Sequence, residues 1–109
     1  MARLASASLG ESRRVGLAYT MWQVYILFSR KDWRTYTGST DNLTRRLVAH
    51  TQGYVHATKD RRPLEVAYTV DCPHELAARK LERYYKSAAG RRKLKIILGD
   101  LKEKYSGVV

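Results

Sequence analysis

The chain has 109 residues, room for one domain with a single modest core, and 44% of them are hydrophobic. Lys and Arg number 21 against 10 Asp and Glu, a formal charge of +11, so a polyanion is the natural partner: nucleic acid first, an anionic membrane surface second. Cys72 is the one cysteine, which excludes a disulfide within the chain and a cysteine-rich zinc site and suits a reducing, cytoplasmic compartment, and no apolar run approaches the roughly 20 residues that span a bilayer.

Residues 1–20 (MARLASASLGESRRVGLAYT) are rich in Ala, Ser and Arg and contain no apolar stretch of secretory length. They are expected to form a flexible extension, or to precede an alternative start at Met21. The domain proper is then expected over 21–103, with 104–109 as a tail.

From Trp22 the pattern becomes regular. Trp22, Val24, Ile26 and Phe28 alternate with Gln23, Tyr25 and Leu27, the period of a strand. Ser29 to Trp33 forms a charged hairpin loop and Arg34 to Gly38 the returning strand. Tyr25 and Tyr36 project from one sheet face if the register allows it.

Thr40 or Asp41 is placed to cap a helix running to His50 or Thr51. Leu43 and Leu47 are its expected buried stripe, with Arg46 and His50 four apart on one flank. Gly53 closes that region, and YVHATKDRR reads as a basic, mobile loop. Pro63 leads into a third strand with Leu64, Val66, Tyr68 and Val70 turned inward.

Cys72-Pro73-His74 opens a helix over about 74–88 with Ala77, Leu81, Tyr84 or Tyr85 and Ala88 at helical spacing. Gly90 is expected to interrupt it before a last helix near 91–103 carrying Leu94, Ile97, Leu98 and Leu101. The order β-β-α-β-α-α predicts an α+β fold: a small central three-stranded antiparallel sheet flanked by helices.

Tyr25, Tyr36, Arg46, His50 and Glu82 bring two phenols, a guanidinium, an imidazole and a carboxylate, a set suited to cutting a phosphodiester. Each has an ordinary alternative. Two strand tyrosines can be a cross-strand pair, and Glu82 has Lys86 four residues on and Arg79 three back, ideal for helix salt bridges. Glu82 is nevertheless the only acid among residues 79–95, where eight Lys or Arg crowd together. The run Arg79, Lys80, Arg83 and Lys86, with Arg91, Arg92, Lys93 and Lys95, is the expected phosphate-contacting surface, and Arg61 and Arg62 form a second edge.

Gln23-Val24-Tyr25, Tyr36-Thr37-Gly38, Arg46 eight residues later, His50 and then Glu82 together resemble the GIY-YIG nuclease superfamily, its small standalone members above all. The resemblance covers roughly residues 22–100, departing at Gln23 for the first glycine and Thr37 for the middle of the second motif. It implies metal-dependent hydrolysis of DNA phosphodiesters, RNA not excluded, by a monomer or homodimer acting in repair or recombination. It further implies Mg²⁺ or Mn²⁺ held by Glu82, Arg46 on the phosphate, Tyr25 as general base, and Tyr36 or His50 assisting. Tyr25 then needs positive charge nearby, from Arg46 and the metal, to ionise at neutral pH. A non-catalytic nucleic-acid-binding domain of the same fold is the competing expectation.

Overall fold

The strand β1 (Trp22–Ser29) lies in the middle of a three-stranded sheet, with β2 (Thr35–Thr40) on one side and β3 (Leu64–Cys72) on the other, both antiparallel to it. The computed structural model describes residues 21–106, so the extension expected over 1–20 lies outside the described residues. Helix α1 (Leu43–Thr51) follows β2, and a 3-10 turn (Lys59–Arg61) precedes β3. Helices α2 (Glu75–Lys86), α3 (Ala88–Leu98) and α4 (Leu101–Ser106) complete the chain, giving the expected α+β order.

Strand β1 is covered by helices on both faces, and Val24 to Phe28 are all buried to within 1%. Val24, Ile26 and Phe28 join Ala78, Tyr85, Leu94, Leu98 and Leu101 of the three C-terminal helices in the main core. Tyr25 and Leu27 occupy the other face, where α1 contributes His50 as its one buried residue. The expected buried stripe of Leu43 and Leu47 is only half covered.

Strand β3 departs from simple alternation. Its register against β1 shifts between Ile26↔Tyr68 and Leu27↔Val66, which leaves Ala67 as an extra residue. A bulge reverses the side-chain parity beyond it. Ala67, Tyr68 and Val70 therefore pack on the main core, whereas Val66, expected beside them, pairs with Leu27 on the opposite face.

The helix breaks also differ from expectation. Gly90 does not interrupt a helix; it is buried in the first turn of α3, where a Cβ would collide with the Tyr84 carbonyl. The break falls at Ser87, whose side chain accepts the Gly90 N–H at 3.1 Å and caps α3. A second break comes at Gly99, at φ 72°, a left-handed conformation that ends a helix cheaply only for glycine. Residues 104–106, assigned to a tail by the sequence, are helical, and Tyr105 stacks on Phe28 with ring centroids 4.8 Å apart. Asn42, rather than Thr40 or Asp41, caps α1 by accepting the Arg45 N–H at 3.0 Å.

Candidate active site

Register decides where the phenols point. Tyr25 pairs with Gly38 and Leu27 with Tyr36, so both tyrosines rise from one face, ring centroids 6.3 Å apart. Tyr25 lies flat over β2: a Cβ on Gly38 would stand 2.5 Å from its hydroxyl. No side chain fits there, which accounts for the glycine in physical terms.

Helix α1 crosses this face and lowers two side chains, one turn apart, onto Tyr25. The Tyr25 hydroxyl and His50 Nε2 are hydrogen-bonded at 2.9 Å, and Arg46 donates from Nε to the same hydroxyl at 3.3 Å. His50 Nδ1 meets the Thr58 hydroxyl at 2.8 Å. Tyr36 stands edge-on to the imidazole at 5.2 Å between centroids and keeps partial exposure, whereas Tyr25 has none.

Burial sets the protonation states. It pushes the Tyr25 phenol above its ordinary value and outweighs the hydrogen bond and charge of Arg46, which pull the other way. Arg46 alone thus does not ionise Tyr25, which rests as a phenol under a guanidinium, and the expected help from the metal would have to supply the rest. Burial, reinforced by the charge of Arg46, takes His50 down to about 4, so the imidazole is neutral at pH 7.

Glu82 approaches β2 from the other side. Ser39 pairs with Val24 and so projects from the core face; its hydroxyl donates to Glu82 Oε1 at 2.5 Å. Lys86 donates to Oε2 at 2.9 Å, and Arg79 stands 3.8 Å from Oε1. Burial raises this carboxyl, but the hydrogen bonds from Lys86 and Ser39 and the charges of Lys86 and Arg79 prevail and hold it below the usual carboxylate range. The helix salt bridges foreseen as the ordinary alternative are thus present. Glu82 lies against the sheet face opposite the two phenols, and its link to their side is Ser39, which directly follows Gly38 on the edge strand β2.

Among the described residues no group of three or more His, Cys, Asp or Glu could enclose a metal ion. The donor set is one ionised carboxylate, 16% exposed, beside the Ser39 hydroxyl, with two side-chain cations already balancing it. A hard cation that keeps most of its waters and takes a phosphate oxygen as a further ligand fits such a place; one needing a full protein cage does not.

The basic residues divide into groups. Arg79 and Lys86 share the Glu82 side of α2 by spacing, with Arg83 exposed on the adjoining flank, and the Arg79 guanidinium also lies 5.2 Å over the Trp22 ring. Lys80 is exposed on a neighbouring face of α2, and Arg91, Arg92, Lys93 and Lys95 are exposed on α3. Arg61 is paired with Asp32 at 3.0 Å, and Arg62 donates to the Lys59 and Thr51 carbonyls, so both expected members of the second edge already serve the fold. His74 caps α2 by accepting the Ala77 N–H at 3.2 Å. Two polar residues of the site, Ser39 and Thr58, escape sequence reasoning. Ser39 is signalled only by following the Tyr-Thr-Gly run, and Thr58 by nothing local.

Among the described residues no helix is long and apolar enough to cross a membrane. The family model for the GIY-YIG catalytic domain matches residues 21–95, well over half of the chain. No curated protein and no solved structure matches it.

Proposed function

The chain belongs to the GIY-YIG family of nuclease domains, and from that premise we propose that it is a metal-dependent endonuclease that hydrolyses phosphodiester bonds in DNA. The observation that carries this reading is the Tyr25–His50–Arg46 hydrogen-bonded cluster, with Tyr36 on the same face and Glu82 at the adjoining sheet edge.

Hydrolysis needs an activated water, relief of charge on the phosphorus, and help for the departing 3′ oxygen. Arg46 is the phosphate ligand: Nε is engaged by Tyr25, and the terminal nitrogens remain for the non-bridging oxygens. Tyr36 is the phenol that meets the water, because it retains exposure where Tyr25 has none, and a base must come within hydrogen-bond reach of its proton. Tyr25 and His50 hold Arg46 and the floor of the site in place. Glu82 and Ser39 are the residues that would hold Mg²⁺ or Mn²⁺, which when bound supplies charge relief and stabilises the leaving group. Arg79, Lys80, Arg83, Lys86, Arg91, Arg92 and Lys93 give the backbone a basic surface, with a role in DNA repair or recombination as the setting.

The test is incubation with labelled single-stranded, duplex and branched DNA in Mg²⁺, Mn²⁺ or EDTA. Cleavage that needs the metal and disappears in Glu82→Gln is expected. Binding without cleavage in every condition would favour a non-catalytic nucleic-acid-binding domain, and cutting that survives Glu82→Gln would put the chemistry elsewhere.

A further inference from the structure

Thr58 sits at the head of the 3-10 turn, where a threonine hydroxyl commonly caps a backbone N–H, yet its side chain makes no such bond. The residue is fully buried, and its hydroxyl points instead to His50 Nδ1 at 2.8 Å. Behind that ring the chain of contacts continues from Nε2 to the Tyr25 hydroxyl and on to Arg46. A neutral imidazole has one donor and one acceptor nitrogen, so whatever binds one nitrogen dictates what the other does. His50, with a pKa of about 4, is in that neutral state at pH 7.

We propose that Thr58 is a positioning residue of the nuclease site: its hydroxyl donates to Nδ1 of His50, which fixes the ring proton on Nε2 and makes His50 a donor to the Tyr25 oxygen. Two buried hydroxyls, those of Thr58 and Tyr25, flank the one acceptor nitrogen of the neutral ring, so either tautomer leaves one hydrogen unpaired and position decides which. Among the described residues, His50 Nδ1 is the partner of the Thr58 hydroxyl, so its hydrogen is paired only if it donates there. The reverse tautomer would strand that hydrogen behind the imidazole, in a place with no exposure. With the proton on Nε2, Tyr25 accepts from His50 and Arg46 together. The hydrogen then lacking a protein acceptor is that of Tyr25, which is buried as well but lies beside half-buried Arg46, on the side of the ring nearer the phosphate that Arg46 is proposed to bind. Two donors on the Tyr25 oxygen also lock the ring against Gly38 and so fix where Arg46 waits.

This assignment rests on the nuclease reading for its role and on the spectrum for its geometry, and the two are separable. Long-range ¹H–¹⁵N correlation spectra of the full chain report which nitrogen of His50 is protonated. The expected result is protonation at Nε2 in the wild type and in Thr58→Ser, and loss of that preference in Thr58→Val. Metal-dependent cleavage is expected to fall about tenfold in Thr58→Val and to return in Thr58→Ser. A wild-type proton on Nδ1, or an unchanged His50 spectrum in Thr58→Val, overturns the proposal. If Thr58→Val fails to fold, the wild-type and Thr58→Ser spectra still decide it. A chain with the Nε2 proton that cuts no nucleic acid sinks the nuclease reading and leaves the hydrogen-bond assignment standing.

Discussion

Gly38 stands opposite Tyr25 in the β1–β2 ladder, and the phenol fills the space that any side chain at position 38 would need. Gly38→Ala introduces a Cβ 2.5 Å from the Tyr25 hydroxyl, so the ring must swing and carry its bonds to His50 and Arg46 with it. Cleavage is expected to drop about 100-fold for a displacement near 1 Å, with folding retained at a cost of about 1–3 kcal/mol. A Gly38→Ala chain that cuts at the wild-type rate would show that Tyr25's position has no bearing on the reaction.

The two phenols are distinguishable by mutation. Tyr36→Phe is expected to lower the single-turnover cleavage rate by at least about 100-fold while leaving the denaturation midpoint nearly unchanged. Tyr25→Phe removes the buried acceptor shared by His50 and Arg46, so stability falls by about 1–3 kcal/mol alongside a smaller kinetic loss. If Tyr25→Phe instead proves the more damaging to rate and neutral to stability, the base assignment reverses.

Arg46→Ala separates chemistry from affinity. The exposed basic residues of α2 and α3 still hold the backbone, so DNA binding at fixed salt is expected to weaken less than about tenfold, and cleavage about 100-fold or more. Equal losses in the two assays would mean that Arg46 is one anchor among many.

Lys86 bonds the oxygen of Glu82 that Ser39 leaves free. An arriving cation has to compete with that ammonium for the carboxylate. Lys86→Met is therefore expected to tighten Mn²⁺ binding several-fold, measured by water-proton relaxation without any substrate. Weaker or unaltered Mn²⁺ binding would contradict a cation seat at Glu82.

His50 makes stability depend on pH. Its folded value of about 4 lies below the ordinary 6.5, so below that ordinary value the unfolded chain takes up a proton that the folded chain resists. The associated stability is complete above pH 6.5 and is lost as pH falls towards 4, up to roughly 3 kcal/mol for the full shift. Urea midpoints measured from neutral pH down to the folded value should decline, and His50→Gln should flatten that decline. A wild-type profile as flat as the variant's would mean that His50 is not held neutral.

Residue type and spacing settled the order of elements, because hydrophobic period and helical spacing are local quantities, whereas the burial of β1 on both faces and the meeting of Tyr25, Tyr36, Arg46 and His50 on one of them came from the folded chain. Local pattern could not carry the β3 bulge, since one extra residue changes parity without changing composition. Nor could it show that Ser87 rather than Gly90 divides the helices, which depends on what the Gly90 Cα touches. The site follows the same division. Sequence named Tyr25, Tyr36, Arg46, His50 and Glu82, but only the folded chain buried Tyr25 completely, left Tyr36 accessible, and set Ser39 on Glu82 and Thr58 on His50. Desolvation and hydrogen-bond partnership are properties of three-dimensional neighbours, and those keep Tyr25 protonated and decide which phenol meets the solvent.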